Sequence, residues 1–141
     1  MFDSATRDVV RAAFARLEAD LGTTRFLTGR LLPWMQELAE SPRLEEYFEH
    51  PYAYPILELP LWVGRGLAVD PDREFLIDIT LSNIAGYYFI RLLDNVMDGD
   101  AETDRRLLGA ATFLQIYIQR PYQRHFAADH PFWRVFGDVC T

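Results

Sequence analysis

Residues Asp70 to Gly99 read DPDREFLIDITLSNIAGYYFIRLLDNVMDG. The stretch carries the marks of both ends of one helix. Asp70-Pro71 is a capping residue followed by proline, the pairing favoured at helix starts. Gly99 is the residue type that stops a helix. Between them Phe75, Leu76, Ile77, Ile79, Leu81, Ile84, Tyr88, Phe89, Ile90, Leu92, Leu93, Val96 and Met97 cover most of the helix circumference. A helix apolar on most sides belongs at the centre of a protein. One polar stripe breaks it: Asn83, Tyr87, Arg91 with Asp94, and Asp98, at steps of three or four. A buried polar group left unpaired costs about 1–3 kcal/mol, so the stripe is expected to line a cavity.

The flanking sequence reads as helices, with no convincing period-two strand. Ser4 can cap a helix to Leu21, with Val9, Val10, Phe14, Leu17 and Leu21 inward and Gly22 as its stop. A second helix is expected from Thr24 to Ala39, kinked or split at Pro33. Ser41-Pro42 opens a short helix to Glu49. His50 to Pro55 reads as a loop, and Ile56 to Leu67 as a short helix bent at Pro60 and loosened by Gly64 and Gly66. After an acidic turn from Asp100 to Asp104, a helix is expected from Thr103 to Gln119, kinked at Pro121. His130-Pro131 opens an apolar last segment, Phe132 to Cys140. The fold class expected is all-α: a helical bundle with a long buried central helix ending at an acidic motif.

The chain has 141 residues, half of them hydrophobic and 14% aromatic, which suits one domain with a real core. The net charge of −7 argues against a partner such as nucleic acid backbone. The longest uncharged run, Leu107 to Gln119, is too short to span a bilayer, so no transmembrane segment is expected. Acidic Asp3 and Asp8 do not suit a signal peptide. A single cysteine, Cys140, excludes a disulfide framework and makes a cytoplasmic location the default. It has no identified activating partner and reads as an inert thiol. All 14 basic residues are arginine, so lysine chemistry is excluded.

Asp94 and Asp98 stand at i,i+4 near a helix C-terminus. Like charges at that spacing repel, and the helix dipole repels both. Local stability does not explain the pair, whereas a divalent cation does. Mg²⁺ takes one or two carboxylates together with substrate phosphate oxygens, so Asp94 and Asp98 are candidate metal ligands. The competing reading is a solvated helix end with an Arg91–Asp94 ion pair. His50, His125 and His130 lack zinc spacing. Gly64-Arg65-Gly66 reads as a loop rather than a phosphate cradle.

Arg91 followed by Asp94-Asn95-Val96-Met97-Asp98-Gly99 resembles the first aspartate-rich motif of the class I isoprenoid synthases, in the D-x-x-x-D form of the squalene and phytoene synthase branch. The D-D-x-x-D of other branches is not matched, because Asn95 stands at the second position. The resemblance implies an all-helical bundle around a central cavity and Mg²⁺-dependent prenyl transfer or ionisation of a prenyl diphosphate. Asp94 and Asp98 would hold Mg²⁺, Arg91 would assist the diphosphate, and Tyr87 would line the cavity. Tyr88, Phe89, Trp62, Phe113 and Tyr117 are further candidate walls. The family carries a second acidic motif downstream, and no second buried acidic pair stands here. The chain is therefore expected to be one helical domain (1–141) forming the N-terminal part of a larger one, or a degenerate relative, with little turnover alone. The alternative is a non-catalytic helical module that binds a hydrophobic ligand or a partner chain, including a second copy in a homodimer.

Overall fold

The computed structural model describes residues 4–50, 53–67, 70–99 and 107–140, with the backbone only of Tyr54 and Cys140. Helix α1 (Ser4–Leu21) buries Val9, Val10, Ala13, Phe14, Leu17 and Leu21, the inward stripe read from the sequence. It ends as expected at Gly22, whose N–H bonds Glu18 O at 3.0 Å.

The next stretch departs from expectation in a specific way. Leu27–Leu31 form a π-turn, and α2 (Leu32–Ala39) follows it. Leu32 N–H bonds Leu27 O, five residues back. Pro33 has no N–H to give, and a widened turn just before it relieves the ladder that proline interrupts. Leu27, Leu31, Trp34 and Met35 all stay buried.

The expected short helix after Ser41-Pro42 is a 3-10 turn, Leu44–Glu49. Ser41 Oγ accepts from Arg43 N at 3.0 Å and bonds Glu46, which Arg43 also pairs. That network seats Leu44 and Phe48 in the core. Helix α3 (Tyr54–Gly66) starts two residues ahead of Ile56, with Pro55 in its first turn, where a missing N–H costs nothing. Gly64-Arg65-Gly66, expected as a loop, forms its last turn.

The central helix is α4 (Arg73–Met97). Its cap is Asp72 rather than Asp70: Asp72 Oδ1 accepts from Glu74 N at 2.8 Å and Phe75 N at 3.1 Å. Gly99, at φ 70°, stops it in the left-handed region that glycine tolerates. Ile77, Leu81, Ile84, Ala85, Tyr88 and Leu92 are buried, but Ile90 and Met97 face outward, 59% and 83% exposed. Burial is therefore less complete near the acidic end than the composition indicates. By length and composition alone α4 could cross a membrane, and half of that stretch is buried in the fold.

Helix α5 (Leu108–Gln119) runs into a 3-10 turn at Pro121, Arg120–Arg124, and α6 (Phe132–Cys140) follows. The expected acidic turn Asp100 to Asp104 and the helix start at Thr103 lie outside the described residues. Helix α4 packs against α1, α3 and α5. Phe132 of α6 stacks on Phe126 (4.1 Å between centroids) and meets Tyr122 at 5.1 Å. Among the described residues there are helices and turns and no strand, so the architecture is an all-α bundle around α4.

Candidate functional site

The polar stripe of α4 divides along its length. Asn83, Tyr87 and Arg91 line a cavity of about 490 Å³, completed by Ile56 and Leu59 of α3, Ser82, Gly86 and Ile90 of α4, Ile118, Tyr122, and Phe136 of α6. Asp94 and Asp98 lie outside that lining, exposed at the end of the helix. The expectation that one cavity takes the whole stripe holds for its first three members only.

The polar groups at the cavity wall are mostly engaged with backbone. Asn83 Nδ2 donates to Ile56 O at 3.1 Å, and Ser82 Oγ to Ile118 O at 2.9 Å. Tyr87 Oη bonds Tyr47 Oη at 2.7 Å. Burial and this bond push the Tyr87 hydroxyl above its ordinary pKa, against the opposing pull of Arg91. Tyr87 therefore stays a neutral hydroxyl at physiological pH. Among the described residues Arg91 is the one cation in the lining, so the site joins a largely apolar wall to a single described positive charge.

The aromatic walls differ from those expected. Of Tyr87, Tyr88, Phe89, Trp62, Phe113 and Tyr117, only Tyr87 lines the cavity. Tyr88 is fully packed against Trp34, Phe48 and Tyr87. Tyr117 is buried, stacks on Phe113 and bonds Asp20 of α1. Trp62 is 42% exposed. The walls come instead from aliphatic residues of α3, α4 and α5 and from Tyr122 and Phe136, which sequence spacing alone cannot bring to α4.

Among the described residues Arg91 makes no ion pair with Asp94, and the two aspartates are joined by backbone only, Asp98 N to Asp94 O at 2.8 Å. Two exposed carboxylates on one helix face, without a described counter-ion, fit the oxygen donor set of Mg²⁺, which keeps several waters. No group of three His, Cys, Asp or Glu side chains gathers to hold a metal among the described residues.

Comparison with protein-family models, curated proteins and solved structures gives no significant match.

Two further clusters escaped the sequence reading. Asp78 of α4, 1% exposed, accepts from Arg16 Nη1 at 3.0 Å and Arg124 Nη1 at 3.2 Å, and meets His125 Nε2 at 2.8 Å. Arg16 also bonds Glu74 at 2.5 Å. A lone carboxylate between Ile77 and Ile79 was the available signal. Tyr47 is the second case. It packs on Phe48 and Tyr87, and it also lines a second cavity with Glu40, Ser41, Glu46 and His50.

Proposed function

We propose that this chain carries the diphosphate-facing part of a Mg²⁺-dependent prenyl diphosphate site of the isoprenoid-synthase kind. The observation that supports it is the order of groups along α4. An apolar cavity is followed by Arg91 in its lining, and Asp94 and Asp98 stand within the next two turns. An apolar chain with an anionic head matches that order.

The apolar walls would take the hydrocarbon part and exclude water from it. Arg91 would bind a phosphate oxygen with its fork of donors. Tyr87, kept neutral, would donate a hydrogen bond to the same head group. Asp94 and Asp98 would hold Mg²⁺, whose chemistry there is to neutralise the charge on a departing diphosphate. The reaction class is prenyl transfer or ionisation, a transferase activity whose completion needs groups besides these four.

Calorimetric titration with farnesyl diphosphate, with and without Mg²⁺, tests this reading. Binding that requires Mg²⁺ and is lost in the Asp94→Asn/Asp98→Asn double variant supports it. Binding that the double variant leaves unchanged rejects the roles of the two aspartates.

A second reading, a non-catalytic helical module that holds an apolar ligand, is favoured by one observation: Asp94 and Asp98 stand outside the cavity lining. It expects farnesol and farnesyl diphosphate to bind alike, with no effect of Mg²⁺.

A further inference from the structure

We propose that Tyr47 is a positioning residue that turns the Tyr87 hydroxyl toward an anionic head group held at Arg91. The inference rests on the prenyl diphosphate reading above and adds a residue from another segment of the chain. Tyr87 and Arg91 stand one turn apart on α4, so their side chains share a face. Both line the larger cavity. Tyr47 belongs to the 3-10 turn Leu44–Glu49 and stands outside that lining. Its hydroxyl accepts from that of Tyr87 at 2.7 Å, so an anion at Arg91 would have to reverse this bond.

A phenol has one proton to give and can accept through its lone pairs. Two phenols in contact place one proton between their oxygens and leave the other proton over. While Tyr87 donates to Tyr47, a head group reaching the Tyr87 oxygen meets a lone pair, which repels an anion. If Tyr47 donates to Tyr87, the Tyr87 proton is released toward the cavity and Arg91. An anion at Arg91 selects the second arrangement, and donation by Tyr47 then strengthens the bond that Tyr87 makes. No atom moves except the two hydroxyl hydrogens.

The rings are held for this task. Phe48, fully buried, meets both Tyr47 and Tyr87 edge-on at 5.2 Å. The two tyrosine rings sit 5.4 Å apart. Ser41, Arg43 and Glu46 brace the turn that carries Tyr47. Removing the Tyr47 hydroxyl therefore leaves the ring packing in place and takes away only the partner of the Tyr87 hydroxyl.

The experiment measures binding of farnesyl diphosphate and farnesol, with Mg²⁺ present, to the unaltered chain, Tyr47→Phe, Tyr87→Phe and the double variant. Thermal melting confirms that each variant is folded. Tyr47→Phe is expected to weaken farnesyl diphosphate binding by about three- to tenfold, less than a direct bond to a charged group is worth. It is expected to leave farnesol binding unchanged. In the Tyr87→Phe background it should have no further effect, because its route runs through Tyr87. Equal losses for both ligands, or additive losses in the double variant, overturn the proposal. Binding of farnesyl diphosphate by the unaltered chain that Tyr47→Phe leaves intact overturns it as well, without touching the prenyl diphosphate reading. If the unaltered chain binds no farnesyl diphosphate, that reading fails and this proposal fails with it.

Discussion

Asp78 Oδ2 and His125 Nε2 meet at 2.8 Å across 47 residues of chain. The contact ties the middle of the bundle to the turn that follows α5. With Arg16 and Arg124 on the same carboxylate, three separate segments are fastened at one buried point. Removing the carboxylate strands two guanidinium groups and an imidazole. Breaking a buried ion pair by losing one partner costs several kcal/mol, moderated here because Arg16 and Arg124 are 31% and 53% exposed. Asp78→Ala is expected to cost about 3 kcal/mol, measured by urea unfolding. A loss under about 1 kcal/mol, the level of an ordinary surface pair, would mean the cluster does not hold the segments together.

The rim of the same cluster sets a pH dependence. Arg16, by its hydrogen bond first and its charge second, holds the Glu74 carboxyl below its ordinary pKa. A carboxyl lowered in the folded state adds stability that is fully present above its unfolded pKa and lost as pH falls through the folded value. Glu74→Gln should therefore flatten the acid limb of the stability curve between those two values and leave the neutral limb parallel. An unchanged acid slope, read by urea unfolding across a pH series, contradicts the pairing.

Tyr88 makes the opposite case. Its hydroxyl is buried, has no hydrogen-bond partner among the described residues, and its pKa is raised chiefly by desolvation. Leaving such a group unpaired costs about 1–3 kcal/mol, and the ring packing does not need it. Tyr88→Phe is expected to be neutral or to stabilise by up to about 1 kcal/mol. A destabilisation larger than that, seen in thermal or chemical unfolding, would show that the hydroxyl is engaged.

The acidic pair should betray its purpose through metal-free stability. Two like charges facing a negative helix end cost a few tenths of a kcal/mol each. Asp94→Asn/Asp98→Asn should melt slightly higher than the unaltered chain in chelator. Millimolar Mg²⁺ should raise the melting temperature of the unaltered chain only. Identical Mg²⁺ responses in both proteins would remove the metal from the account.

What the sequence disclosed follows the range of each interaction. The inward stripe of α1 and the glycine stop of α4 are local, and the structure reproduces them at Val9 through Leu21 and at Gly99. The cap moved from Asp70 to Asp72, because a side chain that reaches the first free N–H groups outweighs a preference for proline. The polar stripe Asn83, Tyr87, Arg91, Asp94 and Asp98 points to a cavity, but only its first three members line it, and its far wall is not legible in the sequence. Ile118 and Phe136 arrive there only through the packing of α5 and α6. The partners of Asp78 lie 62, 46 and 47 positions away, beyond any periodicity. Tyr47 joined Tyr87 across 40 residues for the same reason.

The π-turn at Leu27–Leu31 bears on how this chain can change in length. A single deletion inside an ordinary α-helix rotates everything beyond it by about 100° relative to what came before. A turn that already holds one surplus residue can shed it and close as an α-turn, with Leu27 and Met35 still directed to the same interior. This segment, next to Pro33, is a position in the bundle where a shortened chain keeps both flanking faces in register.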